Sequence, residues 1–221
     1  MADLLLLFAK RAAPGAVKTR LCPPLEPDQA ADLYAGFVAD VVAQARALAG
    51  PDREVVLCLT GEGPEPEGLD GLQVWEQRGA GLGERMAAAF EDGFGRGATR
   101  IVLRNTDSPL LPAARIEEAF EALGAPGVDA VLGPDNGGGY YLVGLSRPLP
   151  DLFAVPGLGR HRGHDGVHAA TCRHARAEGL ALGELRHEDD VDGPADLAAL
   201  RALPDAAFAR APRTLAALRR L

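Results

Sequence analysis

The stretch that decides the fold lies near the start of the chain and reads LLLLFAKRAAPGAVKTR at residues 4–20. Its first five residues are all apolar, which is typical of a strand buried on both faces of a sheet. The loop that follows contains a proline, a glycine and four cations within eleven residues: Lys10, Arg11, Lys18 and Arg20. Backbone N–H groups of such a loop can surround an anion while the cations supply countercharge. The stretch therefore predicts either a phosphate site at the end of a strand or a solvated basic loop.

Strand-like and helix-like patterns alternate along the rest of the chain. Short apolar runs predict strands, and apolar residues at three- and four-residue spacing predict amphipathic helices. The predicted strands cover residues 4–8, 55–59, 73–76, 101–103, 128–132, 140–145 and 180–185, and the predicted helices cover 30–48, 82–94, 166–177 and 203–221, with further helices beginning near Pro112 and Pro194. This alternation predicts an α/β fold with a mostly parallel sheet and helices on both faces. No repeat or linker divides the sequence, so residues 1–221 are expected to form one domain.

The composition excludes several classes of partner. The formal net charge of −8 argues against general binding to nucleic acids or to anionic membranes. No stretch approaches the roughly 20 apolar residues that span a bilayer, and the apolar start follows Asp3 without the basic segment of a signal peptide. Cys22, Cys58 and Cys172 are scattered, as is usual for idle thiols in a reducing compartment. We therefore expect a cytoplasmic protein, and the sequence leaves its oligomeric state open.

A second candidate cluster follows the strand predicted at residues 101–103. Asp107, in the sequence NTDSP at residues 105–109, stands at the edge of the sheet where ligands bind. There it can hold Mg²⁺ against the phosphates of a nucleotide. Alternatively, Asp107 or Ser108 caps the helix expected near Pro112.

A third cluster is the acidic sequence EDDVD at residues 188–192. Four carboxylates in five residues repel one another unless they are solvated or share a cation. Asp192 can cap the helix predicted from Pro194, whereas the other three carboxylates have no such simple role. They belong either to a metal site begun by Asp107 or to a solvated acidic surface.

Two weaker signals lie elsewhere in the sequence. His164, His168 and Cys172 would share one face of a helix, which is compatible with a zinc site or with an ordinary polar helix surface. The glycine-rich sequence GAGLGERM at residues 79–86 opens a predicted helix and is compatible with contact to a nucleotide.

Taken together, these segments resemble a family of small bacterial transferases with the nucleotide-diphospho-sugar transferase (GT-A-like) fold, whose members are often labelled glycosyltransferase or radical-SAM/selenodomain-associated transferase. The shared motifs run in order along nearly the whole chain: FAKxxxPGxVKTRL at residues 8–21, FxxD at 37–40, GERM at 83–86 preceded by Gly81, TDSP at 106–109, GP at 133–134, GGYYLVGL at 138–145 and DVDxPxDL at 190–197. A more distant similarity is to the phospholactate and molybdenum-cofactor guanylyltransferases. The resemblance implies a three-layer α/β/α Rossmann-like fold with a mostly parallel mixed sheet.

The resemblance also implies roles for individual residues. Lys18, Arg20 and Asp107 would be catalytic, with Lys18 and Arg20 on the nucleotide phosphates. Mg²⁺ or Mn²⁺ would be held by Asp107, Asp190 and Asp192. The Gly138–Tyr140 turn would border the acceptor pocket. The full set of expected nucleotide-binding residues is Lys10, Gly15, Lys18, Thr19, Arg20, Gly83, Arg85, Gly138, Gly139 and Tyr140.

The sequence departs from the family pattern at two places. The family usually has an aspartate directly before the paired glycines and the tyrosine, whereas this chain has Gly137 there and an aspartate two residues earlier, at Asp135. A W-S-T-like segment is expected after Phe153, whereas this chain reads PGLGRHR at residues 156–162. The departures imply either a different acceptor or a loss of the chemistry.

Three functions therefore remain open from the sequence. The first is a Mg²⁺-dependent nucleotidyltransferase that joins a nucleoside triphosphate to a small phosphorylated or anionic acceptor and releases pyrophosphate. The second is a glycosyltransferase with a nucleotide-sugar donor, although Asp107 is followed by Ser108 and Pro109 rather than completing the D-x-D pair typical of such enzymes. The third is a nucleotide-binding protein without catalytic activity.

Overall fold

The computed structural model describes residues 2–155 and 166–221, which form one seven-stranded sheet with α-helices around it. The strands are β1 (Asp3–Lys10), β2 (Arg53–Thr60), β3 (Gln73–Glu76), β4 (Arg100–Asn105), β5 (Ala130–Pro134), β6 (Tyr140–Leu145) and β7 (Leu182–Glu184). The helices are α1 (Pro27–Arg46), α2 (Leu82–Gly95), α3 (Ala113–Gly124), α4 (Val167–Ala177), α5 (Pro194–Arg201) and α6 (Pro212–Leu218). Short 3₁₀ turns lie at Thr19–Leu21, Pro150–Phe153 and Asp205–Phe208.

The sheet is mixed, as expected, with one strand running against the others. The strand order is β3-β2-β1-β4-β6-β5-β7, and β6 pairs antiparallel with both β4 and β5. All other neighbours are parallel. Because β1 pairs in register with β4, the loops after Lys10 and Asn105 leave the sheet side by side.

The apolar run at the start of the chain divides its side chains between two cores. Leu5 and Leu7 face a core shared with α1 and α3, while Leu4 and Leu6 face a core shared with α2 and α4. All four are buried, as predicted for a strand covered on both faces. The three-layer α/β/α architecture is thereby confirmed.

The C-terminal tail is helical only in part, in contrast to the helix expected over residues 203–221. A 3₁₀ turn at Asp205–Phe208 follows Pro204, and α6 begins at Pro212. A proline has no N–H to donate and its ring crowds the preceding turn, so prolines at these positions separate the two segments. Within residues 2–155 and 166–221, no helix is long and apolar enough to cross a membrane.

The FxxD motif joins α1 to α6. The carboxylate of Asp40 is 1% exposed and accepts the N–H groups of Arg213 and Thr214 at 3.1 and 2.7 Å. These N–H groups lie in the first turn of α6, where no carbonyl of the helix can reach them. Gly36 allows the close approach, because a Cβ there would lie 3.0 Å from the carbonyl oxygen of Arg213.

We predict that Asp40→Ala lowers the free energy of unfolding by about 2–3 kcal/mol, because two buried N–H groups lose a charged acceptor. Urea denaturation would measure the change. The control is Asp32→Ala on the same helix, which removes an exposed ion pair with Arg220 and should cost less than about 1 kcal/mol. Equal losses in the two variants would contradict the structural role of Asp40.

Candidate active site

A cavity of about 650 Å³ opens at the carboxyl ends of β1, β2 and β4. Ligands of open α/β sheets bind at this edge. Most of the residues expected from the sequence line it: Lys10, Lys18, Thr19, Arg20, Arg85, Asp107, Gly139, Tyr140, Asp190 and Asp192. The expected Gly15, Gly83 and Gly138 do not line the cavity: Gly15 and Gly138 lie in loops beside it, and Gly83 lies in the first turn of α2.

Lys18 is held by carboxylates rather than left free for an anion. Its Nζ lies 2.5 Å from Asp107 Oδ1 and 3.0 Å from Asp192 Oδ1, and it donates to the carbonyl of Val191 at 2.7 Å. The side chain is 5% exposed. Lys18 adopts the left-handed backbone conformation (φ 46°), which costs a non-glycine residue about 1–2 kcal/mol. Such a conformation persists where the surroundings fix it and occurs often at functional sites.

Attraction between opposite charges keeps both Lys18 and Asp192 ionised. Burial alone would lower the pKa of Lys18, but Asp107 and Asp192 outweigh it and raise the pKa. Burial likewise favours the neutral form of Asp192, but Lys18 and then Arg20 hold the pKa of that carboxyl below its usual value. Arg20 reaches Asp192 at 3.0 Å while its side chain stays 51% exposed to the cavity.

Two further carboxylates, those of Asp190 and Asp135, line the same cavity, and the pKa of each is raised. Burial, followed by the charges of Asp135 and Asp192, raises the pKa of Asp190 to about 7. Burial is also the main reason that the pKa of Asp135 is raised. We call Asp107, Asp135, Asp190 and Asp192 the carboxylate cluster. Its oxygen donors are the ligands that Mg²⁺ and similar hard cations prefer.

Asp135 is the site residue that the sequence analysis missed. It lines the cavity and is 8% exposed. Its Oδ1 accepts the N–H of Gly139 at 2.7 Å, so the turn folds back over the carboxylate. A Cβ on Gly139 would lie 2.6 Å from Asp135 Oδ2, which only glycine avoids. The position directly after the buried strand β5, the same signal that identified Asp107, could have revealed it.

Backbone contacts bring the acidic sequence at 188–192 beside Asp107. Val191 donates its N–H to the carbonyl of Asp107 at 3.0 Å. Arg104, which is fully buried, holds the same turn from behind by donating to the carbonyls of Asn105 at 3.1 Å and Ser108 at 2.7 Å. Hydrogen bonds therefore hold the turn after β4 against the acidic sequence at residues 188–192.

Asp107 and Asp192 do not cap the helices that follow them, so the capping roles considered from the sequence are wrong. Helix α3 begins five residues beyond Ser108, after Pro112, and no side chain caps it. At α5 the carboxylate of Asp196, rather than Asp192, accepts the N–H groups of Asp192 and Gly193 at 3.1 and 2.7 Å. Asp107 and Asp192 are instead occupied by Lys18.

Tyr34 is a second residue that the sequence presented only as part of an apolar helix face. Its hydroxyl accepts the N–H of Lys10 at 3.0 Å and hydrogen-bonds Thr106 Oγ1 at 2.9 Å. Thr106 in turn donates to the carbonyl of Phe8 at 3.1 Å. Burial is the main reason that the pKa of Tyr34 is raised to about 12, so the phenol stays protonated and ties the ends of β1 and β4 together.

The basic loop contributes fewer cations to the cavity than its sequence suggests. Arg11 forms ion pairs with Glu65 and Glu76 and is absent from the cavity lining. Lys10, Arg20 and Arg85 line the cavity beside Lys18. The sequence at 156–162, where the W-S-T-like segment was expected, lies outside the described residues, as does His164.

We predict that Asp190→Asn stabilises the metal-free protein at pH 8. The raised pKa means that the folded chain keeps this proton to higher pH than the unfolded chain, so ionising Asp190 costs stability as pH rises towards and through about 7. Thermal unfolding in a chelator should show a higher Tm for the variant at pH 8, and the gain should shrink as pH falls towards 4. Asp189→Asn, which removes the exposed neighbouring charge, is the control. A gain that does not change with pH would contradict the assignment.

Comparison with known proteins identifies relatives of this chain. The family described as uncharacterised proteins conserved in bacteria (DUF2064) matches residues 41–156. A phosphoenolpyruvate guanylyltransferase from Sphaerobacter thermophilus is 28% identical over 188 residues, which cover 81% of this chain and 84% of that protein. A 2-phospho-L-lactate guanylyltransferase from Haloarcula marismortui is 30% identical over 197 residues, which cover 87% of this chain and 83% of the relative.

A solved structure supports the same relationship. The crystal structure of a proposed nucleotide-diphospho-sugar transferase from Desulfovibrio desulfuricans G20 superposes with a TM-score of 0.83 at 33% identity, covering 100% of this chain and 95% of that one. The expected superfamily and the expectation of a transferase are confirmed by these relatives. The chain belongs to the DUF2064 family of bacterial proteins.

Proposed function

We propose that this chain is a nucleotidyltransferase that uses a nucleoside triphosphate and a small phosphorylated or otherwise anionic acceptor. The observation that carries the proposal is one cavity in which Lys10, Arg20 and Arg85 stand beside the carboxylate cluster. GTP is the first donor to test, because both curated relatives are guanylyltransferases. We also propose that residues 1–221 form a single domain, because the loop after β1 and the acidic sequence at 188–192 line the same cavity.

The donor chemistry of the carboxylate cluster suits a divalent cation. Its donors are all oxygens, and burial, followed by the negative charges of Asp135 and Asp192, raises the pKa of Asp190. Asp107, Asp190 and Asp192 would hold Mg²⁺ or Mn²⁺, and Asp135 lines the same cavity. Such an ion supplies neutralisation of the phosphate charge during transfer.

The chain's own residues bind and orient the reactants. Arg20 and Lys10 would pair with phosphate oxygens, and Lys18 would exchange one carboxylate for a phosphate when the triphosphate enters. The acceptor oxygen forms a bond to the α-phosphorus, and the bond from that phosphorus to the bridging oxygen breaks, so that the electron pair leaves with pyrophosphate. Gly139 and Tyr140 would line the acceptor side. This chemistry needs positioning and charge stabilisation rather than a covalent nucleophile.

Glycosyl transfer is the second candidate, favoured by the description of the Desulfovibrio protein as a proposed nucleotide-diphospho-sugar transferase. The absence of a D-x-D pair at Asp107-Ser108-Pro109 weighs against it.

We predict that GTP with Mg²⁺ raises the Tm of the protein and that a chelator removes the effect. The panel consists of four nucleoside triphosphates and several nucleotide-sugars. Turnover is then measured as pyrophosphate release with phosphoenolpyruvate and 2-phospholactate as acceptors. Stabilisation by nucleotide-sugars alone would favour glycosyl transfer. Binding without release of pyrophosphate from any acceptor would favour a nucleotide-binding protein, and no stabilisation by any nucleotide would contradict all three proposals.

Substitutions of Asp107 and Arg20 test the proposed metal and phosphate contacts separately. Asp107→Ala should abolish the Mg²⁺-dependent part of nucleotide affinity, whereas Asp92→Ala should leave it unchanged. Asp92 is a matched control because it is also ion-paired and its side chain is similarly exposed, at 37% against 33%.

Arg20→Ala should weaken triphosphate binding by roughly 1.5–3 kcal/mol, about 10- to 100-fold, the contribution of a hydrogen bond to a charged group. Arg147→Ala is the matched control, since the two arginine side chains are 51% and 52% exposed and each pairs with an aspartate. Isothermal titration calorimetry with GTP measures both. Wild-type affinity in Arg20→Ala would contradict the phosphate contact.

A further inference from the structure

A second group of metal-ligating side chains lies between α4 and β7, outside the carboxylate cluster. It consists of His168 and Cys172 on α4 and Glu184 on β7, which we call the α4–β7 cluster. Ligand atoms of all three residues lie within 4.8 Å of one another. The sequence had suggested His168 and Cys172 for such a site but not Glu184, which reaches them from a different element.

The spacing of the donor atoms suits a tetrahedral cation. His168 Nε2 lies 3.5 Å from Cys172 Sγ and 3.6 Å from Glu184 Oε2. Metal–ligand bonds of about 2.3 Å to sulfur and about 2.0 Å to nitrogen or oxygen separate tetrahedral ligands by about 3.3–3.6 Å. The 3.6 Å distance between His168 Nε2 and Glu184 Oε2 is too long for a hydrogen bond between these two side chains.

The positions in the fold are those of a site held by two elements. His168 and Cys172 are four residues apart on one face of α4, a spacing that zinc sites on helices use. Cys172 is 7% exposed, His168 is half-buried and Glu184 is 53% exposed. The two inner donors are therefore fixed by packing, while the outer carboxylate faces solvent and leaves a path for an ion to enter.

The chemistry of the donors selects the class of metal. A thiolate and an imidazole favour borderline-soft ions such as Zn²⁺, whereas Mg²⁺ prefers oxygen ligands alone. We propose that the α4–β7 cluster binds Zn²⁺ or a chemically similar transition-metal ion through His168 Nε2, Cys172 Sγ and a Glu184 carboxylate oxygen, with solvent as the fourth ligand. This site does not depend on the proposed nucleotidyl transfer.

A cation there would brace the acceptor side of the cavity. The backbone N–H of His168 donates to the carbonyl of Gly138 at 3.1 Å, in the turn that carries Gly139 and Tyr140. Bonding α4 to β7 through the metal would also fix β7, a three-residue strand that pairs with β5 at the edge of the sheet. The bound ion therefore supports the geometry of a turn that borders the cavity.

Co²⁺ is the probe that reports the proposed ligands. The full chain, stripped of metal and kept in excess Mg²⁺, is titrated with Co²⁺ while absorption is recorded, and Zn²⁺ is then added as a competitor. We expect a thiolate-to-cobalt charge-transfer band with intense visible bands of tetrahedral cobalt, all removed by Zn²⁺. Absence of the near-ultraviolet band would overturn the proposal.

Matched variants identify the residues. Cys172→Ser should lose the charge-transfer band, while Cys22→Ser, at a half-buried thiol outside the cluster, should keep it. Glu184→Gln alters only an exposed side chain, so it should fold normally and weaken Co²⁺ binding by at least about tenfold, since even outer partners of metal ligands contribute that much. Asp32→Ala, an exposed position on α1, should bind Co²⁺ as wild type does. A band that survives Cys172→Ser, or unchanged affinity in Glu184→Gln, would contradict the site.

Discussion

The candidate active site depends on one buried ammonium group, that of Lys18. A cation with a 5% exposed side chain needs opposite charge close by, because removing one partner of a buried ion pair typically costs about 3–5 kcal/mol. Its partners Asp107 and Asp192 come from segments that are far from Lys18 in sequence. The three segments can meet only because β1 and β4 are neighbours in the sheet and Val191 bonds to the turn after β4. The ion pair therefore links the order of the strands to the chemistry of the cavity.

Lys18 and Arg20 do not compensate all the negative charge around them. Asp135 and Asp190 share the cavity, and the pKa of Asp190 is raised to about 7 by burial and by its carboxylate neighbours. Chemistry that brings in both a cation and an anionic substrate suits such an environment, since the cation relieves the repulsion and the exposed Arg20 remains available to the anion. The buried Arg104 and the hydroxyl of Tyr34 keep the surrounding turns in place.

The chain thus presents two clusters of potential metal ligands with different donor chemistry. The carboxylate cluster offers only oxygen donors, whereas the α4–β7 cluster combines a thiol, an imidazole and a carboxylate. Because donor type influences which metals a site prefers, we expect the two clusters to prefer different ions. The turn from Asp135 to Tyr140 lies between them: Asp135 belongs to the first, and Gly138 is bonded to the backbone of His168 in the second.

The sequence by itself determined the layers of the fold and many of the residues that line the cavity. Apolar runs placed the central strands to within a few residues, because burial on both faces leaves a continuous hydrophobic signal. The limits of β6 and of the more exposed edge strand β3 are also as predicted. Lys18, Arg20, Asp107, Asp190 and Asp192 all line the cavity, since residues after parallel strands share one edge of the sheet. Tertiary structure alone decided that β6 runs antiparallel, that Lys18 neutralises Asp107 and Asp192, and that Asp135 and Glu184 join their clusters. These outcomes depend on contacts between residues distant along the chain, and local periodicity and spacing carry no record of which strand lies beside which.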